Sequence, residues 1–223
     1  MTALRCPACL RTQRPSSFRP TELGLELIKK VFTKERLQGH TAKIVLSGGL
    51  GDAIYHTQLL EIARYIKENA PEVSLVIMTN GSHKKADWWR QLAEILNEFD
   101  EIGFAVDGWD NASNNHYRVG SDWESIMTGI GVLVRSRAIV TWNTIVFRFN
   151  QERLEQIREL ARGLGVNRFS LVCSDRFAPE DPFRPDPKFI SQFRVKRYNQ
   201  WFAEDDPKRK RRRHAQGRAD LLE

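Results

Sequence analysis

Five short apolar runs, separated by helix-length stretches, constrain this chain more than any other feature. The runs are Lys43-Ile44-Val45-Leu46, Ser74-Leu75-Val76-Ile77-Met78, Ile102-Gly103-Phe104-Ala105-Val106, residues 139–147 and residues 169–173. Between them, residues 57–69, 87–99, 122–134 and 152–164 repeat apolar side chains at helical spacing, as Leu59, Ile62, Ala63 and Ile66 do. Gly165 closes the last of these helices. Strands alternating with helices of this length predict βαβ crossovers, hence a parallel sheet with right-handed connections. The first three runs end in Gly48-Gly49, Thr79-Asn80-Gly81 and Asp107-Gly108, and the fourth contains Asn143. Folds of this kind carry their ligand contacts at the C-terminal strand ends.

The flanks are less regular. Pro20 and Thr21 open a predicted helix running to about Leu37, with Leu23, Leu27, Ile28 and Val31 on one face. From Phe177 the pattern gives way to Pro179, Pro182, Pro185 and Pro187, read as an extended segment or linker over residues 178–203. Residues 204–223 are expected to be a charged, disordered tail, because they offer too little apolar surface to offset ordering. Lys208 to Arg213 supplies six of the net seven positive charges, so the basic character is local and nucleic acid is an expected partner only through that tail. The predicted organisation is therefore a globular body over residues 1–177, then the proline segment and the tail.

With 41% hydrophobic and 28% charged residues, 223 residues suffice for one ordinary soluble core. No apolar run reaches membrane length and no signal peptide is evident, so a reducing cytoplasmic compartment is expected, with no membrane partner. In that setting Cys6-Pro7-Ala8-Cys9 reads as a metal-binding or redox pair, since two thiolates at this spacing can grip one metal or cluster from a single turn. Cys173 lies inside a predicted strand and reads as a small core residue, and Trp88-Trp89 as packing. His56 and His116 are candidates for substrate contact, against the commoner structural role of an isolated histidine.

The order of cysteine turn, helix, strand and glycine turn resembles the radical S-adenosylmethionine superfamily. Members of that family carry C-x-x-x-C-x-x-C in the loop after the first strand of a partial parallel (β/α)6 barrel. Its three cysteines hold a four-iron four-sulfur cluster whose open iron takes the methionyl group of S-adenosylmethionine. Cys6 and Cys9 match the second and third of these cysteines, and Thr2 stands at the first. Gly48-Gly49-Leu50-Gly51-Asp52-Ala53-Ile54-Tyr55-His56 is similar to a Gly-Asp-Pro-x-x-His variant of the family's Gly-Gly-Glu-Pro turn, with Ala53 in place of Pro. Thr79-Asn80-Gly81-Ser82, Asp107-Gly108 and Trp142-Asn143-Thr144 resemble the strand ends that follow, and the resemblance spans roughly Leu4 to Phe177.

The resemblance implies an α/β fold whose first barrel strand is missing, since only Met1 to Arg5 precede Cys6, too few residues for a buried strand. It implies the 4Fe-4S cluster and S-adenosyl-L-methionine as cofactors, with Cys6 and Cys9 as metal ligands and Gly48, Gly49, Asp52, Asn80, Asp107 and Asn143 around the cofactor. Electron transfer from the cluster would release a 5′-deoxyadenosyl radical that abstracts hydrogen from a small-molecule or peptide substrate, with a flavodoxin or ferredoxin as reductant. The alternative is a non-catalytic remnant of that fold, a binding module with zinc at the cysteine pair. The C-terminus lacks the cysteine-rich second-cluster extension of many relatives.

Overall fold

In the computed structural model the described residues are 4–15, 21–48, 51–174, 177–189, 198–203 and 206–208. The strands are β1 (Lys43–Leu46), β2 (Ser74–Thr79), β3 (Glu101–Ala105), β4 (Ile139–Ile145), β5 (Arg168–Val172) and β6 (Tyr198–Trp201). They form one sheet in the order β1-β2-β3-β4-β5-β6. The first five are parallel, and β6 joins β5 antiparallel, Phe169 opposite Gln200. Sequential parallel neighbours mean that every crossover steps the same way, which is the barrel-type winding the alternation predicts and not a doubly wound sheet. The sheet is α/β and partial-barrel in kind, as expected, with one more strand than the five apolar runs.

The helices are α1 (Leu10–Gln13), α2 (Leu25–Val31), α3 (Lys34–His40), α4 (Leu59–Asn69), α5 (Ala86–Ile95), α6 (Asn111–Tyr117), α7 (Trp123–Leu133) and α8 (Leu154–Gly163). The helix expected over residues 21–37 is two helices, because Thr33 takes an extended conformation and caps α3 by accepting from the Arg36 N–H at 3.4 Å. The helix expected over residues 87–99 stops at Ile95. Helix α6 had no apolar period to announce it. It is started by a reciprocal capping box, in which Asp110 accepts from the Ser113 N–H and Ser113 accepts from the Asp110 N–H.

The two faces of the sheet differ in chemistry. Ile44, Leu75, Ile77, Ile102, Phe104, Val140, Trp142, Phe169 and Leu171 share one core with α4, α5, α7 and α8. Alternate residues point the other way. On that inner face Glu101, Gly103 and Ala105 of β3 stand beside Ile139, Thr141 and Asn143 of β4, with Arg168 and Ser170 of β5 next along. Towards the N-terminal strand ends the Glu101 carboxylate accepts from the Thr141 hydroxyl at 2.8 Å and from the Arg168 guanidinium. A second buried pair ties α4 to the sheet, with Lys67 Nζ 2.9 Å from Asp100 Oδ1.

Residues 177–189 lie against the C-terminal strand ends. Phe177 and Phe183 pack with Tyr117, Phe147 and Phe149 in a second apolar cluster. Gln151 and Asp186 exchange two hydrogen bonds of 2.9 and 2.8 Å that hold this segment down. Of the expected tail, Asp206 accepts from Asn167 Nδ2 at 2.9 Å and Lys208 Nζ donates to the Ala138 carbonyl at 2.7 Å. Residues 204, 205 and 209–223, where most of the disorder was expected, lie outside the described residues. Among the described residues no helix is long and apolar enough to cross a membrane.

Candidate cofactor site at the C-terminal strand ends

The Cys9 N–H donates to the Cys6 carbonyl at 3.1 Å, a tight turn that keeps both free thiols on one short loop. Three contacts seat that loop above β3 and β4. The Arg5 N–H donates to the Val119 carbonyl at 2.9 Å, Arg11 donates to the Leu4 carbonyl at 2.6 Å, and Ala8 packs with Tyr117 in one apolar cluster. Cys6 and Ala8 then rest on an aromatic bed in which the Tyr117 and Phe147 rings lie 4.1 Å apart and Phe147 stacks on Phe149 at 5.4 Å. Five rings at the mouth of a sheet displace water from one side of the loop.

Beneath that loop, Asp107 is fully buried at the end of β3 and Arg118 is only 9% exposed after α6. Arg118 Nε lies 2.7 Å from Asp107 Oδ2, a close ion pair and not an aligned hydrogen bond. The other carboxylate oxygen accepts from the Ile145 N–H at 2.8 Å. Burial pushes the Cys6 thiol and the Asp107 carboxyl up, and the Arg118 guanidinium opposes both shifts. Burial likewise raises Asp52, and Arg118 is again among the groups that counter it. One buried cation thus acts on the cysteine loop and on the ends of two strands.

The glycine turn after β1 brings Asp52 to the end of β2. A Cβ on Gly48 would fall 1.7 Å from the Gly51 carbonyl oxygen, so the doubled-back chain admits only glycine there. Asp52 accepts from the Asn80 backbone N–H at 2.6 Å, from the Asn80 side-chain amide and from the Ile54 N–H at 3.2 Å. Lower on the inner face, Asn143 Nδ2 is buried with no hydrogen-bond partner among the described residues. A Cβ on Gly103 would lie 2.8 Å from that nitrogen and 2.4 Å from Met78 Sδ, so Gly103 is what lets both side chains cover β3. An orphaned buried donor on a polar inner face is a feature that a bound polar ligand would satisfy.

Of the residues expected at the site, the structure brings Cys6, Cys9, Gly48, Asp52, Asn80, Asp107 and Asn143 to this end and inner face of the sheet. Gly49 and Thr2 lie outside the described residues. His56 is held by backbone on both sides, with Nε2 3.1 Å from the Leu23 carbonyl and Nδ1 accepting from the Gln58 N–H. His116 packs edge-on against Phe149 at 4.8 Å and lines a cleft of about 290 Å³ with Trp109 and Ser113. Cys173 packs against the main core, and Trp89 is fully buried in it. Tyr117 and Arg118 escaped the sequence reading, since they end and cap an Asn-rich helix with no periodic signal.

The thiolates suit an iron–sulfur cluster in kind, but among the described residues no group of three or more Cys, His, Asp or Glu converges to hold a metal. Two donors on one turn are present, against the three of the family pattern. No curated protein matches the chain by sequence. Among solved structures, Streptococcus suis SuiB bound to S-adenosylmethionine superposes with a TM-score of 0.66 at 11% identity, covering 89% of this chain and 46% of that one. Native anSMEcpe with bound AdoMet gives 0.63 at 14% identity, over 86% and 55%. Methylornithine synthase gives 0.58 at 16% identity, over 82% and 54%. The chain spans 40% to 63% of the length of the first structures it matches. Such identities establish the fold, and a family model described as the Radical SAM superfamily matches residues 3–170. By that match and by the fold that agrees with it, the chain belongs to the radical SAM superfamily.

Proposed function

We propose that this chain is a radical S-adenosylmethionine enzyme, with Cys6 and Cys9 as two ligands of a 4Fe-4S cluster and the cofactor lying across the ends of β1, β2 and β4. The observation that supports the reading is placement: the cysteine turn packs on the rings of Tyr117 and Phe147, the Gly48–Asp52 turn is tied to Asn80 after β2, and the inner face of the same parallel sheet carries the Asn143 amide, which has no partner among the described residues. When bound, the cluster supplies an electron and the cofactor the radical that takes hydrogen from substrate.

The chain's own residues would bind, orient and keep out water. The rings of Tyr117, Phe147 and Phe177 shield the Cys6 side of the loop. Asp52 fixes Asn80 by backbone and side chain together, so the polar end of β2 is held before any ligand arrives. Gly48 lets the chain double back so that Asp52 reaches the end of β2, Gly49 would present backbone to the cofactor on the family pattern, and Asn143 Nδ2 donates to the ligand that covers it. Two structural neighbours hold peptides, SuiB its precursor peptide SuiA and anSMEcpe a Kp18Cys peptide. On this reading a peptide or small molecule enters over the inner face, where Val45 and Val172 are exposed, and a flavodoxin or ferredoxin delivers the electron.

Anaerobic reconstitution with iron and sulfide tests the proposal. The expected result is about four irons per chain, the content of this cluster type, lost in Cys6→Ala and in Cys9→Ala. With two thiolates in place of three, cluster incorporation should be labile. The donor count also supports a second reading, a binding module with zinc at the two cysteines. Stoichiometric zinc with no iron uptake would establish that reading and end the first.

A further inference from the structure

Between the end of β3 and the loop after β4 lies a cleft of about 290 Å³ that the proposed function leaves unused. Trp109, Asp110, Ser113, His116 and Phe149 line it. Its walls are aromatic. Phe149 meets the His116 ring edge-on at 4.8 Å, and Trp109 is half-buried against the main core. The donors of the start of α6 are engaged within the chain. The Trp109 and Asp110 N–H groups donate to Ser113 Oγ at 2.9 and 3.0 Å, and the Ser113 N–H donates to Asp110 Oδ1 at 2.7 Å. The Ser113 hydroxyl donates to the same carboxylate oxygen at 2.7 Å. The Ser113 N–H and hydroxyl hold the Asp110 carboxyl below the usual carboxylate range. Asp110 is therefore a fixed anion, and it forms no ion pair among the described residues.

We infer that this cleft binds the cationic side chain, ammonium or guanidinium, of a peptide, with Trp109 and Phe149 as aromatic walls and Asp110 as the counter-charge. The inference goes beyond the proposed function and does not depend on it, since no lining residue belongs to the cysteine turn or the glycine turn. Three properties select the ligand. Aromatic rings draw a cation to their faces, tryptophan most strongly. Trp109 already does so for one, the Arg153 guanidinium, which lies outside the lining at 5.8 Å from the ring centroid. The permanent charge of the lining is negative and is oriented before any ligand arrives, so pairing with a cation needs no reorganisation. The volume lies at the lower end of small-molecule pockets, which run from about 300 to 1,000 Å³, so it suits one long side chain of a larger ligand. Phe149 also stacks on Phe147 at 5.4 Å, which places the cleft beside the aromatic bed under the cysteine turn.

The probe is the capped tripeptide acetyl-Gly-Lys-Gly-amide, titrated into the full chain while the indole N–H resonances of its six tryptophans are followed. Trp109→Phe identifies the Trp109 resonance by its loss. That resonance should shift saturably with the lysine peptide, and clearly less with the peptides carrying norleucine or glutamate at the centre. Phe149→Leu keeps an apolar wall and removes its ring, and Asp110→Asn removes the charge while Asn still caps α6. Each should weaken the lysine peptide about two- to fivefold, the scale of one exposed cation–π contact or ion pair. Added salt should weaken it as well. If Phe149→Leu does not fold, Asp110→Asn carries the test. Equal binding of the norleucine peptide would overturn the inference and leave an apolar groove. Tighter binding of the glutamate peptide would overturn it in favour of an anion site at His116 and Arg153. Unchanged affinity in Asp110→Asn, or binding that leaves the Trp109 resonance still, would overturn it too. Iron uptake by the same protein bears on the proposed function alone, so either reading can fail without the other.

Discussion

The Lys67–Asp100 pair sits away from the candidate site, at the start of β3, and allows stability to be perturbed without touching the chemistry. Lys67 Nζ donates to Asp100 Oδ1 at 2.9 Å and to the carbonyls of Pro71 and Val73 at 2.7 and 2.8 Å. Asp100 also accepts from the backbone N–H groups of Leu75 and Asn97, both at 2.8 Å. The two side chains are 6% and 0% exposed, so water cannot replace a missing partner. Lys67→Met leaves a buried carboxylate without its cation, and Asp100→Asn leaves a buried ammonium without its anion. Each should cost about 3–5 kcal/mol, the scale of a broken buried pair. At about 2–4 °C per kcal/mol for a chain of this size, the melting temperature should fall by about 6–20 °C in either single variant. The double variant places neutral groups of similar shape in the same space and should recover most of the loss, to within about 1–2 kcal/mol of wild type. Urea denaturation of the four proteins, read as midpoints at constant slope, measures the cycle. Additive losses, or single variants within about 1 kcal/mol of wild type, would refute the reasoning.

Burial pushes the Tyr117 phenol up to about 12. A folded value above the unfolded one, about 10, means stability that is complete below pH 10 and lost as pH rises towards 12, about 3 kcal/mol in all. Tyr117→Phe keeps the ring in its apolar cluster and removes the titrating hydroxyl, so it should show a shallower alkaline decline. The same decline in both proteins would assign it to other groups. Gly103→Val should destabilise by about 1–3 kcal/mol, since its Cβ would meet Met78 Sδ at 2.4 Å. Met78→Ala in the same chain should recover part of that, and thermal melts showing no recovery would place the clash elsewhere.

The winding of the sheet and its polar end were legible before any coordinates. Each strand-forming run carries apolar residues at alternate positions, and the helices between them are long enough only for parallel crossovers, so local periodicity already contains the topology. The residues at the strand ends, Gly48, Asp52, Asn80 and Asp107, were legible for the same reason: their place follows from where a run stops. Helix α6 and strand β6 were not, because a capped Asn-rich turn and a four-residue strand have no period to read. What only the tertiary structure decided is which distant groups share one low-dielectric space. Arg118 stands far in sequence from Cys6 and eleven positions from Asp107, and no spacing rule links the three. Burial makes their charges felt across the site, and burial is a property of the packed sheet, its aromatic bed and the segment from Phe177 that lies on it.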